Sequence, residues 1–236
     1  MSQFDGDHPP PFEIAEPATW RSPIIFNSPH SGSIYPEQFM SASRIDLAGL
    51  RRSEDSFMDE LIGGLTDAGF PVVRVNFPRS YVDVNREPYE LDPRMFTGRL
   101  PRFANTRSMR VAGGLGTIPR VVGDGEEIYR ARLSVEDALG RIEQLYKPYH
   151  RALRSLGYSV TRNKPYAGGF ITEHYGNPAS GLHAVQLELN RAVYMDERRR
   201  ERGPRFNQVA ADFLTLANAL AAIPLDDLGP FRAAAE

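Results

Sequence analysis

The groups in this sequence that could do chemistry are one histidine in a tight turn, several adjacent or isolated carboxylates and a large number of arginines. His30 lies in Ser28-Pro29-His30-Ser31-Gly32, directly after the apolar run PIIFN at 23–27. A turn of this kind presents an imidazole at the end of a strand, where it can bind a metal ion or cap the turn. Glu54 and Asp55 form a carboxylate pair ahead of a helical pattern. Alone they are acids favoured by a helix dipole; near His30 they would make a nitrogen and oxygen donor set suited to zinc. Arg86 ends the stretch Asp83-Val84-Asn85-Arg86. Its planar fork could hold a substrate carboxylate, or it could pair with Glu87 or Glu90. Glu188 sits in the alternating run AVQLEL at 184–189. On a solvated face it would share a side with Gln186. In a sheet covered on both sides it would be buried, and a confined carboxylate suits a general base that activates water.

The rest of the composition narrows the chemistry. There is no cysteine, which removes disulfides, thiol nucleophiles and thiolate metal sites. Lys+Arg number 28 and Asp+Glu 30, a net charge of -2. Without a basic excess, nucleic acid and anionic membrane are not expected partners. Almost all the positive charge is arginine, since Lys147 and Lys164 are the only lysines. Residues 1–11 carry Asp5, Asp7 and three consecutive prolines, unlike the basic start and apolar run of a signal peptide. No apolar run approaches the roughly 20 residues of a membrane span, so a cytoplasmic location is expected. Gly113-Gly114-Leu115-Gly116-Thr117 lacks the Lys-Ser/Thr of a phosphate-binding loop and reads as a flexible loop. Neither a G-x-S-x-G elbow nor an H-E-x-x-H helix is present.

The elements that must position these residues alternate in type. Strands are expected at 23–27, 70–77, 81–84, 158–161 and 184–189, and helices at 43–52, 56–68, 134–155 and 206–222. Gly69 reads as a helix stop, Ser134 as an N-cap and Pro148 as a kink. Residues 92–120, rich in Pro, Gly and Arg, read as a long ordered loop of the kind that often carries function. The pattern implies an α/β fold with a mixed central sheet flanked by helices. Residues 1–20 form a Pro-rich lead-in and 21–236 a single domain. His30, Asn85, Arg86 and Glu188 fall at or near strand ends, where open α/β sheets bind ligands.

Five segments together resemble the N-formylglutamate amidohydrolase family: SPHSG at 28–32, RRSEDSFMDEL at 51–61, FPRSYVDVNR at 77–86, AGGFITEHYG at 167–176 and HAVQLELNRAVYMDE at 183–197. The resemblance implies a zinc-dependent hydrolase with the fold of the zinc carboxypeptidase and aspartoacylase group. Its members release formate from N-formyl-L-glutamate, often in histidine degradation. It implies His30 as a metal ligand, with Asp55 as the acidic ligand and Glu54 as second choice. Arg86, with Asn85 beside it, would hold a substrate carboxylate. A second arginine, among Arg79, Arg94, Arg107 and Arg191, would hold the other. Glu188 would be the general base, and His174 and His183 would lie near the pocket. Family members also carry a D-C-H-S segment whose histidine is a third metal ligand. Here the sequence passes from Tyr149-His150-Arg151 almost directly to 156–161, and that segment is missing. The sheet would then lack one core strand, and a homodimer is one way to cover the edge. Two other readings follow: an inactive member that binds an acidic amino-acid derivative, and an amidohydrolase for another N-acyl amino acid.

Overall fold

The structure, a computed structural model, describes residues 10–123, 125–155, 169–224 and 226. The strand expected at 158–161 and the first part of the lead-in lie outside them. Three short strands form the main sheet, in the order β1 (Phe12–Ala15), β3 (Val72–Val75), β2 (Phe26–Ser28). The described residues also form eight α-helices: α1 (Glu37–Ala42), α2 (Leu47–Leu50), α3 (Met58–Gly63), α4 (Met109–Ala112), α5 (Val135–Arg141), α6 (Lys147–Ser155), α7 (Phe170–Tyr175) and α8 (Phe206–Ala221). Three two-stranded ladders complete a mixed α/β architecture. They pair β4 (Phe96–Thr97) with β7 (Leu133–Ser134), β5 (Val121–Val122) with β6 (Glu126–Glu127), and β8 (Met195–Asp196) with β9 (Glu201–Arg202). No helix among the described residues is long and apolar enough to cross a membrane.

The chain divides into two compact units. The first comprises 1–14, 27–59 and 73–151; the second comprises 15–26, 60–72 and 152–236. In the first, Phe39, Tyr81 and Tyr129 pack together, with Phe39 ring centroids 5.0 and 5.8 Å from the two tyrosines. The buried Arg141 guanidinium lies 4.1 Å over the Tyr81 ring. Val73, Val75, Phe77, Val82 and Val84 are buried beside them in sequence. In the second, Phe26 meets Phe70 edge to face at 5.7 Å.

Several local signals act as expected. The Ser134 hydroxyl accepts the Asp137 N–H at 3.0 Å and starts α5. Ile142, Leu145, Tyr146 and Tyr149 form the buried face that follows. Residues 142–146 form a π-helical turn between α5 and α6. Pro148 has no N–H to offer Gln144, so the missing bond is accommodated as a widened turn. The helix expected at 56–68 is shorter, since α3 ends at Gly63; Gly69 instead closes the turns that follow, at φ +94°, where a Cβ would stand 2.9 Å from the Arg21 Cβ.

Two expected strands are absent. Residues 81–84 are buried but turn, because Tyr81 N–H bonds to Pro78 O and Asp83 N–H to Thr117 O rather than to a neighbouring strand. Residues 183–190 form no ladder among the described residues, and Val185 and Leu187 are 73% and 47% exposed. The helix expected at 43–52 contracts to α2 followed by a 3-10 turn at Arg51–Ser53.

Candidate active site

The site in the first unit is built around a carboxylate that its sequence context does not advertise. Asp83 is 2% exposed. Its Oδ1 accepts from His30 Nε2 at 2.8 Å and from the Asn85 backbone N–H at 2.9 Å. Its Oδ2 accepts from Arg79 Nε at 3.1 Å and lies 3.5 Å from an Arg86 Nη. Burial alone would raise the Asp83 pKa. The positive charges of His30, Arg79 and Arg86 outweigh burial and hold it well below the usual carboxylate range. The signal available in the sequence is an acid two residues before Asn-Arg, between two valines that must be buried.

His30 is set in place by backbone as well as side chains. Its turn passes so close to β3 that a Cβ on Gly32 would stand 2.1 Å from Phe77 O. Ile34 N–H bonds Asn76 O at 2.9 Å, and Asp55 N–H bonds His30 O at 3.0 Å. This brings Asp55 Oδ2 to 3.5 Å from His30 Nδ1. With Nε2 turned to Asp83, Nδ1 is the ring atom that faces Asp55. Glu54 does a different job. Its side chain is buried and accepts from Arg51 at 2.9 and 2.8 Å, Ser56 at 2.6 Å and Tyr35 at 3.1 Å. Burial, with the Glu54 charge beside it, pushes the Tyr35 phenol far up.

Arg86 pairs with Asp83 rather than with Glu87 or Glu90. Its Nε donates to Leu115 O at 2.9 Å and one Nη to Asn85 O at 2.8 Å. Of its five N–H groups, two remain uncommitted among the described residues. The Gly113–Thr117 stretch is therefore no flexible loop. Gly116 packs against Glu90 O, where a Cβ would stand at 2.2 Å, and Leu115 and Thr117 bond the Asp83–Arg86 segment. From the other side, Tyr146 donates to Arg86 O at 2.6 Å and His150 Nε2 meets Val84 O at 2.9 Å.

The remaining expected residues lie in the second unit. Glu188 is exposed, against the expectation of a buried strand, and its Oε1 accepts from Gln186 at 2.8 Å. His174 stacks on Phe170 at 4.6 Å and meets Arg154 at 3.4 Å; His183 is exposed. Among the alternative carboxylate-binding arginines, Arg79 belongs to the Asp83 cluster. Arg94 forks onto Asp92 at 2.7–3.1 Å, and Arg191 pairs with Glu197 at 3.1 Å.

The donor chemistry at His30 fits a metal ion in part. Zinc bonds of about 2.0–2.2 Å in a tetrahedron put ligand atoms roughly 3.4 Å apart, close to the 3.5 Å between His30 Nδ1 and Asp55 Oδ2. Asp83 on the opposite ring nitrogen is the partner a metal-binding imidazole usually has. The described residues assemble no group of three or more His, Asp or Glu side chains that could hold a metal ion.

Fold and site thus define a mixed α/β protein with a carboxylate–imidazole–guanidinium centre. The N-formylglutamate amidohydrolase family model matches residues 22–156 and 152–195, and the chain belongs to that family. It is 25% identical to an N-formylglutamate deformylase of Pseudomonas putida over 242 positions, covering 75% of this chain and 83% of the relative. A Pseudomonas aeruginosa N-formylglutamate deformylase is 23% identical over 239 positions, covering 75% and 84%. The crystal structure of an N-formylglutamate amidohydrolase from Ralstonia eutropha JMP134 superposes with a TM-score of 0.76 at 26% identity, covering 89% of this chain and 97% of that one. Both sequence alignments are longer than this 236-residue chain yet take in three quarters of it, so the relatives carry positions that this chain lacks. The two family matches meet at 152–156, which places the interruption at the end of α6.

Proposed function

We propose that this chain hydrolyses N-formyl-L-glutamate to formate and L-glutamate, the substrate named for its relatives. The observation that carries the reading is the Asp83 cluster, which aims His30 Nδ1 at Asp55 and leaves Arg86 two N–H groups for a ligand carboxylate. Arg86 binds one substrate carboxylate through those groups, with Asn85 beside it. Because the guanidinium is buried and braced by Asp83 and Leu115 O, little conformational freedom is lost on binding. His30 and Asp55 would hold zinc; when bound, it supplies Lewis acidity toward the formyl oxygen and acidifies a water. Asp55 takes this role and not Glu54, whose oxygens are engaged by Arg51, Ser56 and Tyr35. Glu188 accepts the proton of the attacking water at a carboxylate oxygen and delivers it to the glutamate nitrogen as the C–N bond breaks.

A second reading, binding without turnover, is favoured by one observation. Among the described residues His30 and Asp55 are two protein donors where catalytic zinc usually has three, and the two family matches meet at 152–156. One experiment separates the two: formate release from N-formyl-L-glutamate with added zinc and with a chelator, alongside calorimetric binding of the same compound. Chelator-sensitive release that disappears in Glu188→Gln supports hydrolysis. Saturable binding lost in Arg86→Gln, with no release by the folded protein, supports the second reading.

A further inference from the structure

Away from the His30 cluster, the first unit holds an open groove of about 350 Å³ with an unusual lining. Arg44, Arg94, Arg120, Arg130 and Arg132 face it, with Glu127 the one acid on its wall among the described residues. Two carboxylates brace three of these arginines. Asp92, buried behind the groove, accepts from Arg94 at 2.7–3.1 Å and from Arg120 at 3.0 Å. Glu127 accepts from Arg120 at 2.8 Å and from Arg44 at 3.3 Å. The side chains of Arg130 and Arg132 are exposed and make no hydrogen bond or ion pair among the described residues. Five guanidinium groups therefore face two carboxylates in a protein whose net charge is -2. This is a local concentration of positive charge and not general basicity. Arg120, next to β5, and Glu127 on β6 are held side by side, because Val121 pairs with Glu127 and Ile128 N–H bonds Arg120 O at 2.9 Å.

We propose that this groove is a binding site for a small polyanion more highly charged than a dicarboxylate, one carrying at least two phosphate groups or three carboxylates. The braced arginines form the wall, and Arg130 and Arg132 close on the ligand. Guanidinium forks match planar carboxylate and phosphate oxygens two at a time. Holding three of the forks with internal acids reduces the ordering needed on binding. A nucleic acid backbone is a poorer fit, since the chain has no basic excess to extend the contact along a strand. The site shares no lining residue with the Asp83 cluster, so it does not depend on the hydrolase reading.

The test is titration calorimetry of the full chain at low salt with two probes, inorganic pyrophosphate and citrate, which distinguish a phosphate from a polycarboxylate preference. The expected result is saturable one-to-one binding of at least one probe. It should weaken about tenfold in Arg130→Gln/Arg132→Gln and be unchanged in a control, Arg198→Gln/Arg199→Gln. An excess of N-formyl-L-glutamate should not displace the probe. Equal affinity in the groove variant, equal weakening in the control, one-for-one displacement by N-formyl-L-glutamate, or no saturable binding of either probe would each overturn the proposal. Circular dichroism confirms that both variants are folded.

Discussion

Replacing Asp83 by Asn tests the centre of the site most directly, because the substitution keeps shape and removes charge. In the wild type one buried carboxylate accepts from an imidazole at 2.8 Å, a guanidinium at 3.1 Å and a backbone N–H at 2.9 Å, with a second guanidinium at 3.5 Å. An Asn oxygen can keep the bonds to His30 and Asn85. Its amide then points two donors at Arg79 and Arg86, which are donors themselves. Removing one partner of a buried ion pair costs about 3–5 kcal/mol. Arg79 is partly exposed and can turn to solvent, so the lower end, about 3 kcal/mol, is expected. That corresponds to a fall of about 1–2 M in the urea midpoint, within the stability of an ordinary domain. Affinity for N-formyl-L-glutamate should fall about tenfold as well, since Arg86 loses the carboxylate that holds its fork in place. The His30 ring nitrogen signals should also shift in NMR. Asp55→Asn serves as the contrast. Its side chain is 41% exposed, so stability should change by less than about 1 kcal/mol while formate release is lost. A loss of under about 1 kcal/mol in Asp83→Asn, with ligand affinity intact, would refute the view that this carboxylate organises the site.

Asp83 also predicts a pH dependence. Its folded pKa lies below the unfolded value of about 3.9, so its stabilisation is present above that value and is lost as pH falls through the folded pKa. Acid unfolding of the wild type should steepen below about pH 4, and Asp83→Asn should flatten that slope. Gly32→Ala should cost about 3 kcal/mol or more, read as lost soluble expression or a lowered thermal midpoint, because the new methyl meets Phe77 O. Tyr146→Phe leaves a buried Arg86 carbonyl without its donor and should cost about 1–2 kcal/mol in urea. Glu54→Gln weakens the hold on Arg51 and should cost about 2–3 kcal/mol without removing zinc affinity, whereas a metal ligand at Glu54 would lose it.

What the sequence made legible was what local physics decides. A serine ahead of Val-Glu-Asp caps α5 because its hydroxyl reaches its own helix. The apolar spacing in 206–222 makes α8 a helix. His30, Asp55 and Arg86 could be singled out because few residue types do their chemistry. What escaped was decided at long range. Asp83 looked like one more polar residue in DVNR, and its importance comes from His30, 53 positions away, arriving at its oxygen. The Gly-rich run 113–117 looked mobile because nothing in its sequence announces that its carbonyls will hold Asp83 and Arg86.

The run AVQLEL shows why a strong pattern can still fail. Alternation records one face meant for a core and one for solvent, but a strand is stabilised by ladder bonds and cross-strand contacts that only a neighbour can give. Among the described residues 183–190 makes no ladder, and its apolar side chains Val185 and Leu187 are exposed. The two family matches meet upstream, at 152–156, and the chain lacks positions that its Pseudomonas relatives have. Pattern and structure agree once the neighbour is counted as part of the signal. The sequence around Glu188 keeps the alternation of a paired strand, and among the described residues no strand pairs with it and Glu188 is exposed. A base that works by confinement would need that confinement from a substrate or another chain segment closing over it, and the Glu188→Gln comparison reads whether this happens.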